Sequence, residues 1–154
     1  MAEFKSGFVA IIGRTNVGKS TLINKLVGEK VAITVNKSQT TRTAIRAIVN
    51  RENSQIIFID TPGVHKPKTK LGETMIETAY EIAEDVDIIL FIADCSKKEI
   101  TKGDRIILEK IKQINRKTIL VLNKIDLIKK EEILEVIDMY RKEYNFEEII
   151  PICA

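Results

Sequence analysis

Hydrophobic runs and amphipathic stretches alternate along most of this chain. Short apolar runs rich in β-branched residues end near residues 12, 59, 93 and 122, and each has the length of a buried strand. Between them, apolar residues recur every three or four positions, as in helices that bury one face. The pattern predicts strands over 7–12, 43–51, 55–60, 86–93, 117–122 and 147–152, helices over 19–28, about 72–84, about 103–115 and about 130–144, and a loop over 30–42.

This alternation predicts an α/β fold in a single domain. Strands that alternate with helices form a mostly parallel sheet with helices on both faces, and a chain of 154 residues is expected to form one domain. In such sheets the ligand lies beyond the carboxyl ends of the strands. Residues that follow those ends are therefore the first candidates for a functional site.

A glycine-rich loop lies between the first predicted strand and the first predicted helix. Its sequence, G-R-T-N-V-G-K-S, fits the pattern G-x-x-x-x-G-K-(S/T) of phosphate-binding loops. The glycines let the backbone turn its N–H groups towards an anion. Lys19 would reach the β- and γ-phosphates, and Ser20 would offer its hydroxyl to Mg²⁺. The alternative is a strand-to-helix turn without a ligand. The predicted nucleotide-binding residues here are Gly13, Arg14, Thr15, Asn16, Val17, Gly18, Lys19, Ser20 and Thr21.

The sequence N-K-I-D follows the predicted strand over 117–122 and indicates which base is bound. A carboxylate only accepts hydrogen bonds. Guanine presents two adjacent donors to Asp126, whereas adenine would leave that carboxylate desolvated and unpaired. Lys124 would lay its aliphatic stem along the base plane, and Asn123 would bridge neighbouring loops and the base edge. A polar turn after a strand is the alternative.

Two further segments complete an ordered set. An acidic residue at the end of a central strand, Asp60, is placed to hold Mg²⁺, and the N–H of Gly63 would sense the γ-phosphate. Thr41, in the loop over 30–42, would ligate Mg²⁺ and lose this contact after hydrolysis. The alternatives are an ordinary Pro-Gly turn and a solvated threonine-rich loop. The predicted nucleotide contacts of the first segment are Asp60, Thr61, Pro62, Gly63 and Val64.

Four motifs in this order on one α/β pattern look like a translation-factor-class GTPase, and their details resemble the GTPase domain of the Era family. The residues that carry the resemblance are Asn16 in the glycine-rich loop, the paired threonines of Q-T-T-R, and D-T-P-G-V-H-K-P-K followed by L-G-E. The resemblance runs from about Phe4 to Ala154 and implies a Ras-like P-loop NTPase fold. Thr15 replaces the usual proline of the family, and Cys153 replaces a serine in the last guanine-contacting motif, which ends at Ala154.

The resemblance also implies a role and partners. Era proteins are GTPases that assist assembly and rRNA maturation of the small ribosomal subunit, and they bind its rRNA through a C-terminal KH-type domain. By this resemblance residues 1–154 are the GTPase domain, without the KH domain and without the final helix. One face of the sheet should then be partly uncovered. Peripheral association with the inner membrane face is an alternative to a purely cytoplasmic location.

The expected catalytic residues are Lys19, Thr41 and Gly63. Many GTPases orient the attacking water with a glutamine after the D-x-x-G glycine, and Val64 stands there instead. We therefore expect slow intrinsic hydrolysis, unless Asn16 and Thr40 hold a potassium ion that offsets the developing negative charge. An arginine supplied by a partner is the other possibility.

Composition agrees with an ordinary globular domain. The chain is 44% hydrophobic and 31% charged with a net charge of +3, no apolar run is long enough to span a membrane, and two distant cysteines favour a reducing cytosol. Two rival interpretations stay open. One is the GTPase domain of a related tRNA-modifying or double-domain ribosome-assembly GTPase. The other is a non-catalytic nucleotide-gated binding module.

Overall fold

The computed structural model describes residues 3–14, 17–27, 44–60, 81 and 83–154. The predicted loop over 30–42 lies outside the described residues. Of the predicted helix over 72–84, residues 81 and 83–84 are described, and they are helical.

Besides the helical residues at 81 and 83–84, six strands and three helices can be followed along the described part of the chain. The strands are β1 (Lys5–Gly13), β2 (Ala44–Arg51), β3 (Ser54–Asp60), β4 (Ile88–Asp94), β5 (Lys117–Asn123) and β6 (Glu148–Pro151). The helices are α1 (Lys19–Val27), α2 (Lys102–Ile114) and α3 (Lys130–Glu143), with short 3₁₀ helices at Cys95–Lys97 and Ile125–Leu127. None of the described helices is long and apolar enough to cross a membrane.

The strands form one sheet in the order β2-β3-β1-β4-β5-β6. All neighbouring pairs are parallel except β2 and β3, which form an antiparallel hairpin at one edge. A connection of two residues, Glu52 and Asn53, allows only the antiparallel arrangement. The predicted mostly parallel sheet is confirmed, and the carboxyl ends of β1, β3, β4 and β5 meet at one edge.

Two apolar cores lie on opposite faces of the sheet. Along β1, Ala10 and Ile12 belong to the core that also contains buried residues of α2 and α3, whereas Ile11 belongs to the core under α1. Each fully buried aliphatic side chain contributes about 1.5–3 kcal/mol relative to an exposed one. Helices therefore cover both faces as predicted. On the α1 face, Ile150 of β6, which pairs with Val121, is 42% exposed.

The start of β4 differs from the prediction. The strand begins at Ile88, two residues later than expected, because Asp87 makes contacts that end the preceding turn. Its carboxylate accepts a hydrogen bond from the N–H of Phe8 at 2.8 Å, and its own N–H donates to the carbonyl of Phe8. These bonds fix the start of β4 beside β1, and hence the position of both carboxyl ends.

Candidate functional site

A cavity of about 400 Å³ opens at the carboxyl edge of the sheet. This volume falls within the range of about 300–1,000 Å³ that is usual for small-molecule sites. Its lining combines residues of the glycine-rich loop, of the N-K-I-D segment and of the chain end: Gly18, Lys19, Ser20, Thr21, Asn123, Lys124 and Ala154. Segments more than a hundred residues apart in sequence therefore share one cavity.

The glycines of the loop stand where no side chain fits. A Cβ on Gly13 would lie 2.7 Å from the carbonyl oxygen of Ile92 in the neighbouring strand. Gly18 has a φ of 101°, and a Cβ there would lie 2.2 Å from Nδ2 of Asn123. Helix α1 begins directly afterwards at Lys19. Because the first N–H groups of a helix have no partner within it, this end of the cavity suits an anion.

Asn123 ties the loop to the chain end. The residue is 2% exposed, its Nδ2 donates to the carbonyl of Val17 at 2.9 Å, and its Oδ1 accepts from the N–H of Ala154 at 2.9 Å. Asn123 therefore links the loop to residue 154, and its contact with the base edge stays a prediction.

Lys124 is positioned by a carboxylate that the sequence did not single out. Its Nζ lies 3.3 Å from Oδ2 of Asp94, the last residue of β4, and its backbone is left-handed with a φ of 67°. Burial alone would raise the pKa of Asp94. Hydrogen bonds from the hydroxyl and N–H of Ser96 and the ion pair with Lys124 outweigh it, and they hold the pKa of Asp94 below its usual value. The carboxylate is therefore charged at neutral pH.

Asp126 and Cys153 contact each other beside the cavity, and neither is one of its lining residues. The side chain of Asp126 is exposed. Its hydrogen-bonding contact with the Cys153 thiol, together with burial, raises the pKa of that thiol. On the other side, Nζ of Lys25 in α1 lies 3.5 Å from the carbonyl oxygen of Cys153. Residues 126 and 153 therefore lie close together, as their predicted shared role requires.

Arg14 belongs to the loop but its side chain does not line the cavity. Its Nη1 donates to Oγ1 of Thr101 at 3.1 Å, at the N-terminus of α2. Thr101, in turn, donates to the carboxylate of Asp104. Sequence reasoning missed Thr101 and Asp104, although T-x-x-D before an apolar run is a signal for a helix start.

Of the other predicted residues, Asp60 is the one whose backbone is described. Asp60 ends β3 next to β1, in register with Ile11. Its backbone therefore lies at the carboxyl edge of the sheet, as expected for a residue near the phosphates. Outside the described residues are Thr15, Asn16, Thr40, Thr41, Thr61, Pro62, Gly63 and Val64.

Comparison with known proteins connects this geometry to a family. The family model described as 50S ribosome-binding GTPase matches residues 8–124. GTPase Era of Clostridioides difficile is 55% identical over 152 residues, which are 98% of this chain and 51% of that protein. GTPase Era of Caldanaerobacter subterraneus is 52% identical over 151 residues, 98% of this chain and 50% of that protein. The chain thus spans about half the length of the curated relatives it matches.

A solved structure agrees with these sequence matches. A crystal structure of Era in complex with MgGDPNP and nucleotides 1506–1542 of 16S ribosomal RNA has a TM-score of 0.81 and 42% identity, covering 98% of this chain and 52% of that one. The predicted P-loop GTPase fold and the resemblance to the Era GTPase domain are confirmed.

Proposed function

This chain belongs to the family described as 50S ribosome-binding GTPase, and from that premise we propose that it is a switch domain that binds GTP and hydrolyses it. One observation carries the proposal. The glycine-rich loop lines the same cavity as Asn123 and Lys124 of the N-K-I-D segment, so residues that suit phosphates and residues that suit a base share one site. A nucleotide is the ligand whose two ends match that distribution.

Guanine selection is assigned to the base end. Asp126 would accept the two adjacent donors of guanine, and adenine would leave it unpaired. Asp126 is exposed and lies two residues after Lys124, which lines the cavity, and this position supports the role. Lys124, held by Asp94, would cover one face of the base with its stem. Cys153 and Ala154 would complete the base end.

The phosphate end is assigned to the loop and to the start of α1. Lys19 would hold the β- and γ-phosphates together with backbone N–H groups. Ser20 lines the cavity beside Lys19, and its hydroxyl is an oxygen ligand of the kind Mg²⁺ prefers, so the described residues fit that ion. Thr41 and Asp60 are the further residues that would hold it. When bound, Mg²⁺ would neutralise charge that develops on the phosphate oxygens.

Hydrolysis is expected to be slow because Val64 cannot orient a water through a side-chain hydrogen bond. Lys19, Thr41 and Gly63 are the residues proposed to act on the γ-phosphate. Asn16 and Thr40 are proposed to hold a potassium ion near it.

In the longer protein, the partners proposed by resemblance are the small ribosomal subunit and its rRNA, bound through a KH-type domain outside residues 1–154. The proposed location is the cytoplasm.

The test is a titration of this chain with fluorescent GDP in Mg²⁺, followed by competition with GTP, GDP and ATP. Displacement by the guanine nucleotides and not by ATP is expected. Displacement by ATP as well would contradict the assignment of Asp126, and absence of any binding would contradict the proposed function.

A phosphate-release assay over many turnovers separates a GTPase from a non-catalytic module. We expect slow, continuing release from GTP that is faster in potassium than in sodium. Equal rates in the two salts would contradict the proposed potassium site but not the proposed GTPase activity. No release beyond one turnover would favour the alternative, a non-catalytic nucleotide-gated binding module, with which Val64 is compatible.

A further inference from the structure

The side chain of Arg14 makes its contacts on α2 rather than in the cavity. It starts from the first variable position of the glycine-rich loop, and its Nη1 reaches Thr101, 87 positions along the chain. Its Nε and Cδ lie 2.7 and 2.9 Å from the position that a Cβ on Gly103 would occupy. The guanidinium therefore packs directly against the backbone of the first turn of α2, and only a glycine at position 103 leaves space for it.

Thr101 uses every hydrogen-bonding capacity of its hydroxyl in this contact. Its Oγ1 donates to Oδ2 of Asp104 at 2.8 Å. The same oxygen accepts from the N–H of Asp104 at 3.2 Å and from Nη1 of Arg14 at 3.1 Å. A hydroxyl has one donor and two acceptor sites. The N-cap of α2 and the anchor of Arg14 are thus one hydrogen-bonded unit.

Asp104 gives this unit a buried negative charge. The residue is 1% exposed, and besides Thr101 its carboxylate is in hydrogen-bonding contact with the hydroxyl of the buried Tyr140. Burial raises the pKa of its carboxyl, and the hydrogen bond from Thr101 and the charge of Arg14 act against that rise. A buried carboxylate is stabilised by hydrogen-bond donors and by the charge of a nearby cation. Arg14 is the cation that faces it.

We propose that Thr101 and Asp104 are positioning residues for the phosphate loop, which they hold through Arg14. Asn123 holds the other end of the described loop, at Val17. The loop would then be fixed at both ends before a nucleotide arrives. Because an ordered loop has less conformational entropy to lose on binding, a fixed loop binds more tightly. This inference rests on the proposed nucleotide site and names residues that act on it from outside the cavity.

The sharpest test is Gly103→Ala, measured as the dissociation constant of fluorescent GDP and as the urea midpoint without nucleotide. Alanine has a higher helix propensity than glycine, which offsets part of the stability lost when Arg14 moves away from Thr101 and Asp104, so the urea midpoint is expected to change little. The added Cβ displaces Arg14, and the dissociation constant is expected to rise about tenfold, the order of one lost hydrogen bond from a charged donor. A purely structural role for Gly103 predicts no change in affinity.

Gly7→Ala is the matched control. Gly7 lies in β1 at the far end from the loop, and a Cβ there would meet Asp87 only at an ordinary 3.4 Å. Its GDP affinity is expected to equal that of the unchanged chain. In a chain that already carries Arg14→Ala, Gly103→Ala is expected to cause no further loss, because no guanidinium remains to be displaced.

A second pair of variants tests Thr101 itself. Thr101→Val removes the hydroxyl at nearly constant shape and is expected to weaken GDP binding about tenfold, whereas Thr101→Ser restores all three hydrogen bonds and the affinity. Unchanged affinity in both Gly103→Ala and Thr101→Val would overturn the inference while the unchanged chain still bound GDP. Failure of the unchanged chain to bind would instead overturn the proposed function.

Discussion

The base end and the phosphate end of the cavity are built differently. At the phosphate end the backbone itself shapes the site, and Gly18 has a φ of 101° with no room for a Cβ beside Asn123. At the base end, side chains shape the site, and each depends on a neighbour that orients it, as Asp94 orients Lys124. A site shaped by the backbone loses its ligand-binding geometry when a mutation adds a side-chain atom. A site shaped by side chains loses it when a mutation removes a supporting partner.

The two ends also differ in how their supporting carboxylates respond to their surroundings. Hydrogen bonds and an ion pair keep the pKa of Asp94 low at the base end in spite of its burial. Burial prevails at Asp104, which supports the phosphate end, and raises the pKa of that carboxyl. The same residue type therefore stabilises one end as a charged group, while at the other end its ionisation opposes folding.

Gly18→Ala would break both ends at once and has the largest expected effect. The Cβ would lie 2.2 Å from Nδ2 of Asn123, in a backbone conformation that alanine avoids. We expect a loss of about 3 kcal/mol or more in the free energy of unfolding and no measurable GDP binding. Urea unfolding and a GDP titration measure both. Near-normal affinity would show that the loop can move away from Asn123 without loss of function.

Asp94→Asn would weaken only the base end. It removes the ion pair with Lys124 and leaves the backbone of the loop unchanged. We expect affinity for GDP to fall about tenfold, as for one charged hydrogen bond, while inorganic pyrophosphate, which has no base, competes as well as before. Competition titrations with both ligands measure the split. An equal loss for both would mean that Asp94 supports the whole cavity.

The smallest expected effect is a difference in pH dependence between the two carboxylates. Because the pKa of Asp94 is lowered by folding, its stabilising contribution is present above the unfolded pKa and is lost as pH falls through the folded pKa. Because the pKa of Asp104 is raised by folding, the free energy of unfolding falls as pH rises from the unfolded to the folded pKa of this carboxyl.

Urea unfolding from about pH 3 to pH 7 checks these opposite pH dependences of the free energy of unfolding, since the usual pKa of an aspartate is about 4. The stability of the unchanged chain minus that of Asp94→Asn should rise with pH, and the same difference for Asp104→Asn should fall. Two differences of the same sign would contradict the assigned roles.

Much of the fold follows from the sequence because the strands are long apolar runs. The run that becomes β4 reads I-I-L-F-I-A, and its side chains alternate between the two cores. The late start of this strand could not be predicted, because it depends on hydrogen bonds between Asp87 and Phe8, which are 79 positions apart. Local patterns carry no information about such a pairing.

The site divides in the same way. Motif spacing identifies Gly18, Lys19 and Asn123, since each motif is contiguous and must meet a phosphate or a base. The sequence did not predict Asp94 and Thr101, because they lie on other elements than the motif residues that they support. The position of Asp94 at the carboxyl end of a strand was a usable signal. The contact between Arg14 and Thr101 could be found only from the structure.

Lys124 shows how little freedom such a position has for sequence change. Its left-handed backbone, with a φ of 67°, is disfavoured by roughly 1–2 kcal/mol for residues with a Cβ. A mutation to glycine would relax the backbone but would lose both the stem and the ammonium group. Asparagine and aspartate tolerate the left-handed backbone but cannot form the ion pair with Asp94. The remaining residues would keep the strained backbone and lose the ion pair, except arginine, whose broader planar head group has a different shape. No single-residue exchange offers a neutral path away from lysine here, so sequence drift at this position is expected to be slow.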